Sequence, residues 1–227
     1  MPRLILRPLL FTLIILTIVT GARPAAAQDA ALDVTALEGL QRSVMRSYGL
    51  DYMAIFDQMA TPGAEVANPH GVIFLWVNLL EFDNAEHAQA AMANLKEAAA
   101  STDGITVSGA PVSEIQLDLG DESISYLESQ EIDGQQSNAI LTLVRQDRYI
   151  YFVIMTAIDT PAEPILTDLV TYMIDTPAGE GNGTFGVEGT STGGLWDKLP
   201  PIGHPILPNL IASDAVIYPV PEGTAPA

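Results

Sequence analysis

The chain has no cysteine and few bases: nine lysines and arginines stand against 28 aspartates and glutamates. Without cysteine there can be no disulfide, no thiolate metal site, no cysteine nucleophile and no lipid-modified N-terminus of the bacterial lipoprotein kind. Stability has to come from a hydrophobic core, which a domain of about 140 residues is large enough to bury. Histidine is also scarce. His70, His87 and His204 lie far apart, with no His-x-x-x-His among them, and read as surface or packing residues rather than zinc ligands. There is no Gly-x-Ser-x-Gly and no Gly-Lys-Ser/Thr phosphate loop, and spacing alone cannot pick a catalytic carboxylate pair from 28 acids. Catalysis has no motif to stand on.

What is present begins at the N-terminus. Arg3 and Arg7 precede an apolar run from Leu9 to Val19, and Ala25-Ala26-Ala27 come just before Gln28. This is the three-part pattern of a secretory signal peptide, residues 1–27, with small side chains where the signal peptidase cuts. The run is too short for a membrane anchor, which needs about 20 apolar residues, and it is bounded by Arg7-Pro8 and by Gly21 to Pro24. No later segment is long and apolar enough to span a membrane. The expectation is a secreted or periplasmic protein of the cell envelope, with no membrane span after signal cleavage. Arg3, Arg7 and Arg23 leave with the signal. Arg42, Arg46, Lys96, Arg145, Arg148 and Lys198 then remain against 28 acids, a net charge near −22. Such a chain repels nucleic acid and anionic lipid, and favours solubility, cations or a basic partner.

Composition divides the rest at about residue 176. Residues 176–227 hold 9 of the 18 glycines and 8 of the 16 prolines. The expected organisation is an α+β domain over 28–175, a Gly/Thr-rich linker over 176–194 and a proline-rich apolar segment over 195–227. Within the domain, Thr35-Ala-Leu-Glu38 suggests a capping box opening a helix, with Leu37, Leu40 and Val44 on one face and Gly49 as its stop. The Tyr52–Phe56 run fits helix or strand, and Thr61-Pro62-Gly63 ends it. Gly71–Phe82 is apolar on both alternating faces, as a central strand should be. Asp83 and Glu86 then suggest the cap of a helix with Ala88, Ala91, Met92, Leu95 and Ala99 on one stripe, ended by Asp103-Gly104.

A meander follows: Ile115–Leu119, Ser123–Ser129, Asn138–Arg145 and Tyr149–Ala157, with turns between them. Thr160-Pro-Ala-Glu163 suggests a last capping box, and Ile165, Leu166, Leu169, Val170 and Met173 give its helix an inward face. The fold class expected is α+β: an antiparallel sheet of about four or five strands with two or three helices packed on one face, plus an extended C-terminal tail.

Phe82-Asp83 leading into an alanine-rich helix, Gly120-Asp121-Glu122-Ser123 opening a strand and a hairpin into Tyr149-Ile-Tyr-Phe-Val together resemble small exported α+β domains of bacterial envelopes. The extracellular sensor domains of some serine/threonine kinases are among them. The resemblance covers about residues 71–175 and implies fold and compartment, with ligand binding as a loose expectation. Those sensor domains carry disulfides and an attached kinase. This chain has neither, so a signalling role does not transfer.

Three groups of residues invite functional readings. Asp118, Asp121 and Glu122 gather carboxylates at a glycine turn, where they would either converge on Ca²⁺ or form a solvated hairpin; no other cofactor is indicated. Arg145 and Arg148 flank a turn and would hold an anionic ligand or, with so many acids about, pair internally. The C-terminal segment carries Trp196, Leu199, Ile202, Ile206 and Leu207, too apolar for a solubilising tail, so it docks on the domain or engages a partner as an extended ligand. The resulting expectation is an exported, non-enzymatic binding protein for an unknown protein or small-molecule ligand. The alternative is an extracellular hydrolase using carboxylates without a recognisable motif.

Overall fold

The computed structural model describes residues 37–50, 70–101, 112–132, 134–184, 191–207 and 210–219. The expected signal peptide, the Tyr52–Phe56 run with its Thr61-Pro62-Gly63 stop and the Asp103-Gly104 helix end lie outside these residues. Seven strands form one antiparallel sheet: β1 (Leu40–Leu50), β2 (Val72–Phe82), β3 (Val112–Ile115), β4 (Glu122–Ile132), β5 (Gln135–Gln146), β6 (Tyr149–Ile158) and β7 (Leu210–Pro219). Their order is β3-β4-β5-β6-β2-β1-β7. Two helices, α1 (Ala85–Ser101) and α2 (Ala162–Asp175), and a 3-10 turn over Gly194–Lys198 accompany it. The class is α+β as expected, with more strands than expected.

β2 takes the central place its sequence predicts, between β6 and β1. The expected helix near residue 40 is instead β1. Leu37, Leu40 and Val44 fit one face of a helix, but in the strand a register shift between Leu40 and Arg42 divides them: Leu37 and Leu40 pack on the α1 side, Val44 and Tyr48 on the α2 side. Pairing with β2 on one side and β7 on the other decides for the strand.

The helices cover opposite faces of the sheet, not one. Successive residues of a strand point to opposite faces, and β6 shows the division. Tyr151, Val153 and Met155 pack with Leu166, Leu169 and Met173 of α2, whereas Ile150 packs with Ala88, Met92 and Leu95 of α1. Strands β2, β5 and β6 are apolar on both sides, so each side needs a cover.

The caps also differ from expectation. Asn84, not Asp83, caps α1, its Oδ1 accepting from the His87 backbone N–H at 2.9 Å. Asp83 bonds the His87 ring instead, at 2.6 Å. Pro161 occupies the N-cap of α2 with no side-chain cap, so the Thr160–Glu163 box does not form; the inward face of α2 is as predicted. The first meander strand is Val112–Ile115, displaced from the expected Ile115–Leu119.

Residues after α2 are not a separate tail. Gly179 N–H bonds Gly194 O at 2.8 Å, and Thr184 pairs with Thr192, so the glycine-rich stretch folds back on itself. Gly194 adopts φ 56°, and a Cβ there would lie 2.6 Å from Gly181 O, a close approach that only glycine permits. The chain then lays Leu195, Trp196, Leu199 and Leu207 into the α2-side core and enters β7, paired to β1. Each large apolar side chain buried this way contributes roughly 1.5–3 kcal/mol.

Candidate binding site

The face that carries α2 is closed by charge as well as by apolar packing. Arg46 of β1 and Asp214 of β7 form a two-pronged pair, Nε to Oδ1 at 2.6 Å and Nη2 to Oδ2 at 2.9 Å, with side chains 3% and 0% exposed. Arg46 also donates to Ser191 O at 2.7 Å and Pro200 O at 3.2 Å, and Tyr48 Oη donates to Pro200 O at 2.6 Å. Ser191 N–H donates to Asp214, and the guanidinium lies 5.7 Å from the Trp196 ring centre. Burial alone would lower the Arg46 pKa, but the hydrogen bond and charge of Asp214, with Tyr48, hold it above its usual value. Burial also drives Tyr48 well above the ordinary phenol range. The bonds of Arg46 and Tyr48 fasten the C-terminal part of the chain to β1.

A second cluster sits at the Glu81 end of the same face. Glu81, 2% exposed, accepts from Arg42 and, at 2.9 Å, from Arg148. Arg42 reaches on to Gly181 O at 2.8 Å. The buried Lys198 donates to Thr176 O at 2.6 Å and lies 5.1 Å from the Tyr149 ring; desolvation lowers its pKa. Lys96 pairs with Glu122 at 2.7 Å, and Arg145 with Asp121 at 3.1 Å and Glu122 at 3.4 Å. All six lysines and arginines after residue 27 are therefore held by the protein's own carboxylates or carbonyls.

The opposite face is covered by α1 at one end only, over Leu80, Phe82, Leu143 and Ile150. Further along the same face of β2 lie Trp76 and Phe74, two-residue steps from Leu80 through Asn78. Trp76 meets Phe152 edge to face at 5.1 Å, and its indole N–H points at Met45 Sδ at 2.7 Å. Beside them is a groove of about 290 Å³, lined by Ser47, Gly49, Leu50, Phe74, Ile211 and Ser213 among others. Its floor follows from the strand register. Gly49 lies between Phe74 of β2 and Ile211 of β7, and Ser47 lies between Trp76 and Ser213. The Ser47 and Ser213 hydroxyls share a hydrogen bond of 2.9 Å. No acid, histidine or lysine lines this groove.

Gly49 makes the trough. Its φ is not positive, and among the described residues a Cβ added to it would meet no heavy atom within 4 Å. Neither backbone conformation nor packing by the described residues demands glycine there, although glycine inside a strand costs about 0.5–1 kcal/mol relative to alanine. A strand glycine of this kind marks a place where a ligand or another backbone comes close.

The residues singled out from sequence are scattered. Trp196, Leu199 and Leu207 are 2%, 2% and 1% exposed and belong to the core, Ile206 packs against it, and Ile202 is 53% exposed. They form part of the α2-side cover rather than a common surface. Asp121 and Glu122 face Arg145 and Lys96, and Asp118 is exposed nearby. Among the described residues no group of three or more acids or histidines is placed to hold a metal. His70 precedes β2, His87 lies on α1 and His204 packs on Tyr172 of the opposite cover at 4.8 Å, so the structure does not bring them together. Residues 47–49 escaped sequence reasoning because the helix expected there hid their alternation; Gly49 within an alternating run was the available signal.

No protein-family model matches the chain, and no curated protein or solved structure matches it. The kinase-sensor resemblance gains no support from these comparisons.

Proposed function

We propose that this is an exported binding protein of the cell envelope or extracellular space, and that the trough over Gly49 receives its ligand. The observation that carries the reading is a strand glycine without a structural reason, set between Phe74 and Ile211 in an uncharged groove. Apolar walls with a few placed hydroxyls suit a ligand held by contact and one or two hydrogen bonds. A groove without acids or histidine offers no general acid or base, which supports binding rather than hydrolysis. Export rests on the signal-peptide pattern of residues 1–27; among the described residues no helix is long and apolar enough to cross a membrane.

Nile red, a neutral apolar dye, tests the site directly. The exported protein should enhance its fluorescence, and Gly49→Leu, which places a side chain in open space, should abolish the enhancement while leaving the melting transition cooperative. Equal enhancement by both proteins would sink the reading.

A further inference from the structure

The two edges of the sheet are built differently. β3 is four residues long and carries the exposed Glu114, two of the devices by which proteins keep an edge from pairing with another chain. β7 is ten residues long, and its one charged residue, Asp214, is turned inward and fully buried against Arg46. Its register with β1 is regular from Leu210 to Val216 and shifts only between Val216 and Tyr218. Among the described residues no strand pairs with the far side of β7. Ile211, 55% exposed, stands on this edge and forms a wall of the Gly49 trough. A strand laid against β7 would therefore run beside the groove, with every second side chain on the groove's face.

The charge distribution indicates what kind of strand. All six lysines and arginines after residue 27 are engaged internally, against 28 acids, a net charge near −22. A second copy of the chain would bring the same negative field, whereas a cationic segment is drawn in.

We infer that the partner is an extended, positively charged peptide that adds to β7 as an eighth strand, its apolar side chains entering the trough. Backbone hydrogen bonds to the edge supply affinity, and alternate side chains supply selectivity. The inference rests on the groove being a binding surface and narrows its ligand to one class.

The test is fluorescence anisotropy of the exported protein with a labelled peptide of alternating lysine and valine, about seven residues long to match Leu210–Val216. The peptide should bind, and binding should weaken as salt rises. A version with glutamate for lysine, and one N-methylated on alternate residues so that it cannot complete a ladder, should each bind at least about tenfold more weakly. Ile211→Lys, at an exposed position that folding tolerates, should weaken the parent peptide by about tenfold. Equal binding of the N-methylated peptide would overturn strand addition, and equal binding of the glutamate peptide would overturn the cationic partner. A dimer in sedimentation that Ile211→Lys converts to monomer would show a second copy on the edge and overturn the peptide. If no peptide binds while Nile red still distinguishes Gly49→Leu from the parent, the groove reading survives and the peptide inference alone fails.

Discussion

The two faces of this sheet are finished in opposite ways. On one, α2 and the segment from Gly194 to Leu207 close the core, and Arg46 of β1, held in a buried ion pair with Asp214 of β7, ties that segment to β1 together with Tyr48 through Pro200 O. On the other, α1 covers one end and a trough with a bare glycine floor remains at the other. Both faces begin from the same material, strands apolar on both sides. Closing a face used most of the protein's scarce positive charge; the trough uses none. A buried charge left without its partner is costly, so the cations that close this face need their carboxylates, while the trough lining carries no charge at all.

Breaking the closed face should have the largest effect. Asp214→Ala leaves the Arg46 guanidinium buried without its carboxylate and the Ser191 N–H without its acceptor, at an expected cost of about 3–5 kcal/mol. Urea unfolding measures it, and a loss below about 1 kcal/mol would show that the pair is not what holds the C-terminal segment.

On the open face the sign reverses. Gly49→Ala should raise stability by about 0.5–1 kcal/mol, because the strand gains a residue with less conformational freedom to lose and the new Cβ meets nothing. A destabilised variant would mean that the trough is filled in solution.

The smallest effect belongs to the covered end of that face, where Lys96 of α1 grips Glu122 of β4. The Lys96 hydrogen bond, with help from Arg145, holds Glu122 below the ordinary 4.5 of a glutamate. A carboxylate lowered in the folded state contributes stability above 4.5, and that contribution is lost as the pH falls through its folded value. Glu122→Gln should cost about 0.5 kcal/mol at neutral pH and nothing below the folded value. A pH-independent difference would remove the ion pair as its cause.

The fold was legible where one pattern admitted one reading. β2, apolar on both faces, could only be central, and the Ile165–Met173 stripe of α2 could only face inward. β1 was misread because Leu37, Leu40 and Val44 fit a helical face, whereas in the strand a register shift after Leu40 sends Leu40 and Val44 to opposite faces, which only pairing with β2 and β7 reveals. Trp196, Leu199 and Leu207 were seen as sticky but not as core, since nothing in a proline-rich stretch says what it will lie against.

The sequence by itself determined the α+β class, the lack of thiol chemistry, the acidic charge and the inward stripe of α2, because each follows from composition or local periodicity. Only tertiary structure decided that the helices lie on opposite faces, that Arg46 and Asp214 meet across 168 residues and that Gly49 floors a trough between Phe74 and Ile211. Those depend on strand register and on which segments meet in space, and both are settled by long-range burial rather than by any local run of residues.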